Sequence, residues 1–380
     1  MKVILSADAI RQPLTGVGRY NLELARELTA MPEIDLCFLQ GTRLQQELPA
    51  PMEGGEVLPA LRDLLTAWNL PTEIYRRMLG RARSRALRHQ PRDTVLHGAN
   101  YYLPAYHGPS LVTIHDISVF LLPQHHRADR VRYMRREVAL ALERSALVLT
   151  VSEFSKAEIV RVLGVPAERI RVTPLGPDSR FQPGTAVDFN LGAVHDSLTF
   201  GHYCLFVGTI EPRKNLDMLL DAFERLPLAL RRQYPIVLCG YRGWGSEALH
   251  ARFAAATREG WLVYLGYVSD KMLPALVAGA RLFVYPSLYE GFGLPILEAM
   301  ASGVPVLRSR IAALDEVAGE AGASFPPRDV DALTEVLAMA LQDERWRTEA
   351  RQQGLKRAAL FSWRRCAELT RDAYREVALR

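Results

Sequence analysis

The sequence predicts an α/β protein made of two doubly wound parallel sheets. Three observations predict it. The 380 residues exceed what one ordinary core serves. Apolar strand-like runs alternate with helix-like runs through both halves, the pattern of parallel sheets covered by helices. A stretch rich in Pro, Gly and polar residues, from Pro174 to about Thr199, separates the halves and reads as a linker.

In chain order, residues 3–5 read as the first strand and 20–29 as a helix. Strands follow at 35–39, 94–97 and 110–115, then a long helix over 128–143 and a strand at 147–151. Ser152 and Ser155 both offer an N-cap to the next helix, because a serine oxygen accepts a bond from a first-turn amide. A strand at 170–172 closes this half. The second set has strands at 203–208, 235–240, 263–266 and 281–285, a helix over 296–301, a strand at 304–307 and a terminal helix over 363–380. Ligands of such sheets bind beyond the carboxyl ends of the strands, so with two sheets the active site is expected in the cleft between them.

Composition narrows the class. Hydrophobic content of 49% and charged content of 23% fit a soluble globular chain, and no apolar run reaches the length of a membrane span. The start, MKVILSADAI, reads as a strand and not as a signal peptide. Cys37, Cys204, Cys239 and Cys366 lie far apart with no C-x-x-C, which predicts reduced core residues in a cytoplasmic protein. The net charge of +5 is all in the first half: residues 1–180 carry 24 Lys+Arg against 19 Asp+Glu, whereas residues 181–380 carry 23 of each. Arg76, Arg77, Arg81, Arg83, Arg85, Arg88 and Arg92 fall in a stretch with no acid between Glu73 and Asp93. Two readings fit: a solvated helix face, or a surface for anionic lipid or a lipid-linked diphosphate. No aromatic interleaving or recognition motif accompanies the charge, so nucleic acid is not expected as a partner.

The most informative stretch is Y-P-S-L-Y-E-G-F-G-L-P-I-L-E-A-M-A-S-G-V-P, from Tyr285 to Pro305. A strand leads into Glu290, then Gly291-Phe292-Gly293-Leu294-Pro295, then a helix bearing Glu298. Free amides at a glycine loop and helix start form an anion site. Glu290 stands just before that site, and Glu298, two turns on, can accept bonds from hydroxyls. Diphosphate together with hydroxyls suggests a nucleotide sugar.

Other loops carry further candidates. Gly208 opens Thr209-Ile210-Glu211-Pro212-Arg213-Lys214-Asn215, which puts two cations just before a helix, an unfavourable place without an anion. Lys214 is one of only five lysines, against 42 arginines, which favours a compact point charge there. Gly16 and Gly18 lie between the first strand and the first helix, where glycine lets backbone approach a ligand. His115 ends a strand in Ile114-His115-Asp116, and His97 ends another. Tyr241 and the pair Tyr267-Val268 follow two strands of the second half.

The string E-G-F-G-L-P-x-L-E-A-M-A-x-G-x-P, with G-x-x-x-x-x-K-N over Gly208 to Asn215, resembles the retaining, nucleotide-sugar-dependent glycosyltransferases of family 4, which have the GT-B fold. The resemblance covers nearly the whole chain. It implies two Rossmann-like domains: an acceptor-side domain over 1–180, to which the helix 363–380 crosses back, and a nucleotide-sugar-binding domain over 181–362. It implies that Arg213 and Lys214 bind the donor diphosphate with the Gly291–Leu294 amides, that the loop of Gly16 and Gly18 lies over the diphosphate or near the acceptor, and that His115 bonds a sugar hydroxyl. Glu290 would orient the donor sugar, Glu298 would hold the ribose, and the backbone near Tyr267 and Val268 would meet the base. Asp178 falls where G-x-D closes the first domain. No catalytic metal or other cofactor is expected. The combination with H-D-I-S looks like bacterial mannosyl- and rhamnosyltransferases of O-antigen or exopolysaccharide synthesis. That implies GDP-mannose or a GDP-deoxyhexose as donor, with UDP-glucose and dTDP-sugars left open, a glycan or lipid-linked glycan as acceptor, and a cytoplasmic enzyme for which peripheral contact with the membrane stays open. Two alternatives stay open: a GT-B enzyme such as a sugar-nucleotide epimerase, and a non-catalytic glycan-binding partner.

Overall fold

A computed structural model describes residues 1–12, 14–49, 69–184, 191–196 and 198–379, with the side chains of residues 69–77 and 193 outside the description. The side chains of Arg76 and Arg77, and residues 185–190 and 197 of the expected linker, therefore lie outside the described residues. The chain forms two compact units. One comprises Met1–Phe120, Ala128–Pro174 and Trp363–Arg380; the other comprises Leu121–Arg127 and Leu175–Ser362.

The elements of the first unit, in order, are β1 (Lys2–Ser6), α1 (Gly16–Thr29), β2 (Asp35–Gln40), β3 (Arg43–Gln45), α2 (Asn69–Leu87), β4 (Val95–Gly98), β5 (Ser110–Thr113), α3 (Ser118–Leu121), α4 (Ala128–Arg144), β6 (Leu147–Thr150), α5 (Glu153–Leu163) and β7 (Ile170–Val172). The sheet order is β3-β2-β1-β4-β5-β6-β7, and every pair is parallel except the β2–β3 edge. Strands such as β5 and β6 are buried along their whole length, which is why they read as unbroken apolar runs.

The second unit follows with β8 (Cys204–Val207), α6 (Leu216–Arg225), α7 (Leu228–Gln233), β9 (Ile236–Cys239), α8 (Glu247–Glu259), β10 (Leu262–Gly266), α9 (Leu273–Ala278), β11 (Leu282–Tyr285), α10 (Leu294–Ala301), β12 (Val306–Ser309), α11 (Ala312–Ala318), β13 (Ala323–Phe325), α12 (Val330–Gln342) and α13 (Glu344–Ala358). Its parallel sheet has the order β10-β9-β8-β11-β12-β13. In each unit the chain builds outward from a central strand and then returns to its other side. The carboxyl ends of β1 and β4, and of β8 and β11, are thus the switch points where loops part and ligands of such sheets bind. The four cysteines are free and buried, and no described helix is long and apolar enough to cross a membrane.

Local chemistry sets the helix ends. Ser152 caps α5, its side chain accepting from the Ser155 amide at 3.0 Å, and Gly164 ends that helix at φ 66°. The first helix starts at Gly16, four residues before the expected position. Thr15 caps it by accepting from the Gly18 amide at 3.3 Å, so Gly16 and Gly18 lie in its first turn and not in a loop.

The terminal helix α14 (Trp363–Ala378) belongs to the first unit. Tyr374 is buried, and its hydroxyl meets His97 Nδ1 at 2.8 Å; His97 Nε2 meets Thr113 Oγ1 at 2.8 Å, and Tyr20 Oη meets the same Thr113 oxygen at 2.9 Å. One buried chain therefore joins α14, β4, β5 and α1. Arg171 on β7 adds a forked pair to Glu376, at 2.7 and 2.9 Å. His97 is thus a structural histidine. Burial, with the charge of His115, holds it well below its ordinary value of 6.5, down to about 3.

Because the folded chain keeps His97 neutral, the unfolded chain takes up its proton first as the pH falls below about 6.5. Stability is then lost progressively between that pH and about 3, and buried His115 acts in the same direction. Thermal melts at pH 7, 6 and 5 should show a falling midpoint. His97→Gln should lower stability at pH 7 by roughly 1–3 kcal/mol and reduce the pH slope. A slope equal to wild type in that variant would contradict the assignment.

Candidate active site

The second unit's switch point gathers four charged side chains. The loop after β8 ends in a tight turn, Pro212–Lys214, and the loop after β11 carries Tyr289 and Glu290. The Leu288 amide bonds to the Arg213 carbonyl at 2.9 Å and locks one loop to the other. Glu290 then holds both cations: Oε1 accepts from Lys214 Nζ at 2.6 Å and Oε2 from Arg213 Nη1 at 2.9 Å. Arg213 also donates to the Tyr289 carbonyl at 2.6 Å and, from Nε and Nη2, to Glu211 Oε1 at 3.1 and 2.7 Å. Lys214 Nζ gives a further bond to Tyr285 Oη at 2.7 Å and lies 5.0 Å from the centre of that ring.

Glu211, Lys214 and Glu290 are all buried, and charged groups rarely go inside unpaired. Burial alone would push the Glu290 carboxyl up, but Arg213 and Lys214 more than offset it and hold it down to about 2. Burial lowers the Lys214 pKa, with Glu290 opposing. At neutral pH Glu290 is therefore a fixed anion. Glu290 thus supplies these cations at a helix start with an anion from within the protein.

Asn215 follows Lys214 in a left-handed conformation, φ 58°, and no other non-glycine among the described residues has positive φ. Its amide nitrogen donates to the Pro286 carbonyl at 3.1 Å and the Pro327 carbonyl at 2.9 Å. These bonds tie the turn to the β11 loop and secure a conformation that L residues avoid. Glycines set the adjoining loops. Gly240, at φ 149°, packs so closely that a Cβ would lie 1.9 Å from the Gly208 carbonyl oxygen, and a Cβ on Gly208 would lie 3.1 Å from Phe206. Gly293 caps α10 at φ 117°, where a Cβ would meet Leu314 at 2.6 Å.

The Gly291–Leu294 run turns from loop to helix. The Ile296 and Leu297 amides both bond to the Gly293 carbonyl, and Pro295 has no amide hydrogen. The Phe292, Gly293 and Leu294 N–H groups precede the first helical bond and can face an anion. Phe292 contributes backbone only, because its buried ring packs edge-on against Phe361 at 5.9 Å. Glu298 is buried on the second turn of α10.

Beyond β9 and β10, Tyr241 and Tyr267 stack on each other at 4.7 Å with 18° between planes, and each is about two-fifths exposed. Val268 is buried. The sequence placed these tyrosines on separate loops and gave no sign of the stack. Asp-x-Asp, a pairing often used for metals, occurs at Asp329-Val330-Asp331. Here Asp329 caps α12 through the Ala332 amide, and Asp331 pairs with Arg225.

In the first unit, His115 follows β5. Its Nε2 lies 3.1 Å from the Ala99 carbonyl, which only accepts, so the proton sits on Nε2 and Nδ1 is left as an acceptor. Burial lowers its pKa, and the Tyr20 ring packs edge-on at 4.6 Å. Gly18 has a packing reason, since a Cβ would lie 2.7 Å from the Ala9 carbonyl oxygen. Gly16 has open space around it and no such constraint. Asp178 is structural: it accepts from the Arg180 amide and, in a fork, from the Arg180 guanidinium.

Residues 199–357 match the family described as glycosyl transferases group 1, and residues 14–181 match glycosyltransferase family 4. The O-antigen chain mannosyltransferase B of Escherichia coli is 42% identical over 380 residues, covering 99% of this chain and 100% of that protein. The serotype-specific mannosyltransferase WbdA of Escherichia coli is 31% identical over 293 residues, covering 73% of this chain but 35% of that longer protein. Among solved structures, HepE from Anabaena in complex with UDP-glucose superposes with a TM-score of 0.73 at 17% identity, covering 99% of this chain and all of that one. The fold is thus GT-B, and the chain is a glycosyltransferase that belongs to the group 1, family 4 glycosyltransferases.

Proposed function

We propose that this enzyme transfers mannose from GDP-mannose, with retention of anomeric configuration, to a glycan carried on a lipid during O-antigen synthesis. The observation that carries the reading is the pair Arg213 and buried Lys214 held side by side by buried Glu290, next to the amides that lead into α10. The mannosyltransferase name of the relative matched end to end supports the sugar and the pathway.

When the bond from the sugar to the diphosphate breaks, charge gathers on the diphosphate oxygens. Two fixed cations and oriented amides in a buried place stabilise that charge without reorganising. These cations supply the positive charge, and we assign the reaction no catalytic metal. Glu290 has two roles here: it fixes both cations and orients the donor sugar. Glu298 holds the ribose hydroxyls, and the backbone near Tyr267 and Val268 meets the base. Gly16, unobstructed at the start of α1, leaves its backbone open to the diphosphate or acceptor. His115 accepts a bond from a sugar hydroxyl at Nδ1. The acceptor oxygen attacks from the face the diphosphate leaves, and the diphosphate takes its proton. The enzyme works at the inner face of the cytoplasmic membrane.

Melting in the presence of GDP-, UDP-, ADP- and dTDP-sugars tests the donor. GDP-mannose at a hundred times its Kd should stabilise the second unit by about 2.7 kcal/mol, and the other bases should do less. Preference for another base overturns the assignment. The anomeric configuration of the product, read by NMR, tests retention.

Lys214→Ala alone would leave one oxygen of the buried Glu290 carboxylate without its cation, at a cost of up to roughly 3–5 kcal/mol, so loss of activity there would be ambiguous. The paired change Lys214→Met with Glu290→Gln removes both charges. It should keep a cooperative melt while lowering turnover by about a hundredfold or more. Turnover near wild type in the paired variant would refute the role given to these residues.

A further inference from the structure

The first unit holds a basic hollow that the reaction described above does not use. It has a volume of about 730 Å³, within the range of small-molecule sites, and lies between α2, α4 and the loop after β4. Arg81, Arg85, Arg88 and Arg144 line it, together with Tyr102 and Tyr133. Its lone carboxylate, Glu137, is already paired to Arg136 at 2.8 Å. Arg144 donates to the Leu103 carbonyl at 2.8 Å. Arg81, Arg85 and Arg88 are exposed and pair with no carboxylate among the described residues. A solvated helix face would be expected to carry acids in alternation; here three cations converge on a concavity with no neutralising carboxylate among the described residues.

The hollow is placed away from the reacting end of the unit. His115 follows the carboxyl end of β5, whereas the lining residues His107, Arg88 and Arg144 precede the amino ends of β5, β4 and β6. A four-residue strand spans about 13 Å, so a ligand held here reaches the reacting edge only through a chain of a few sugar rings. On α2, Met78 is 63% exposed and shares a stripe with Arg81 and Arg85 at spacings of three and four, and Arg88 follows just past the helix end.

We propose that this pocket binds the sugar diphosphate by which a glycan is joined to its lipid. The arginines take the diphosphate as bidentate donors. The tyrosines offer ring faces and hydroxyls to the first sugar, and Met78 meets the lipid. The inference rests on the lipid-linked acceptor proposed above, and it adds a second, non-catalytic hold on that acceptor. A plain phospholipid headgroup shares the phosphate but lacks the sugar ring.

The test is isothermal titration of the full chain with inorganic pyrophosphate and with glucosamine 1-phosphate. Wild type is compared with two variants: Arg81→Gln/Arg85→Gln/Arg88→Gln, and Lys214→Met/Glu290→Gln. Since the three arginines are exposed, the triple variant should melt as wild type does. Glucosamine 1-phosphate should bind at least tenfold more weakly to the triple variant and equally well to wild type and the paired variant. The KM for a diphosphate-linked lipid acceptor should also rise at least tenfold in the triple variant. Equal binding of both probes by the triple variant and wild type overturns the proposal. So does a triple variant that loses only its binding to phosphatidylcholine vesicles with 30% phosphatidylglycerol, which would make the surface a membrane contact. Absence of any GDP-mannose turnover in wild type overturns the functional reading instead, and the probe difference between variants still decides whether the pocket binds sugar phosphate.

Discussion

Everything at the second unit's switch point depends on Glu290 being buried and ionised. A carboxylate inside a protein must be satisfied, and here two cations from a different loop satisfy it, at 2.6 and 2.9 Å. That requirement fixes the β8 loop against the β11 loop. The turn after β8 runs through a left-handed asparagine tied to the β11 loop, and Gly240 packs against the Gly208 carbonyl without room for a side chain. The four charges of Glu211, Arg213, Lys214 and Glu290 sum to zero, so the cluster is stable as folded and still presents its cations in a fixed array. This is preorganisation in its electrostatic sense: the cost of orienting the charges is met during folding, not during reaction.

The first unit is organised by a different kind of constraint. Its central polar group, His97, is neutral, and its bonds run through Thr113, Tyr20 and Tyr374. No charge is buried in that chain of contacts, so its contribution comes from satisfied hydrogen bonds and well-packed aromatic rings. The unit spends its unpaired positive charge at the surface instead, around the α2–α4 hollow. The cluster at the second unit's switch point is thus balanced among its own members, whereas the exposed arginines around the first unit's hollow have no carboxylate partner among the described residues. The even split of Lys+Arg and Asp+Glu in the second half, beside the excess in the first, carries the same contrast in the composition.

Much of this was legible in the residues. Alternating apolar runs gave the two parallel sheets, and the Glu290–Pro305 string with the Gly208–Asn215 loop gave the glycosyltransferase class. Four things were not legible, each for a physical reason. The pairing of Glu290 with Lys214 joins residues 76 apart and depends on β8 and β11 being neighbours, which the strand order decides and local sequence does not. The start of α1 was read four residues late because two glycines suggest a loop, whereas the Thr15 cap holds them in a helical turn. The packing need at Gly18, where a Cβ would lie 2.7 Å from the Ala9 carbonyl oxygen, arises from a residue nine positions away and leaves no local sign. Exposed tyrosines that stack on each other, as Tyr241 and Tyr267 do, leave no periodic trace because their loops are unrelated in sequence.

The place of α14 bears on how the chain is made. The ribosome delivers Tyr374 after every residue of the second unit, yet Tyr374 is the partner that completes the buried chain through His97 in the first. Domains usually fold in the order of synthesis, amino-terminal unit first. Here the amino-terminal unit lacks the partner that completes its buried His97 chain until the terminal helix emerges, so the second unit is able to finish before it. The nascent first unit must hold the buried face reserved for Trp363, Cys366 and Tyr374 open for the whole time the second is being translated.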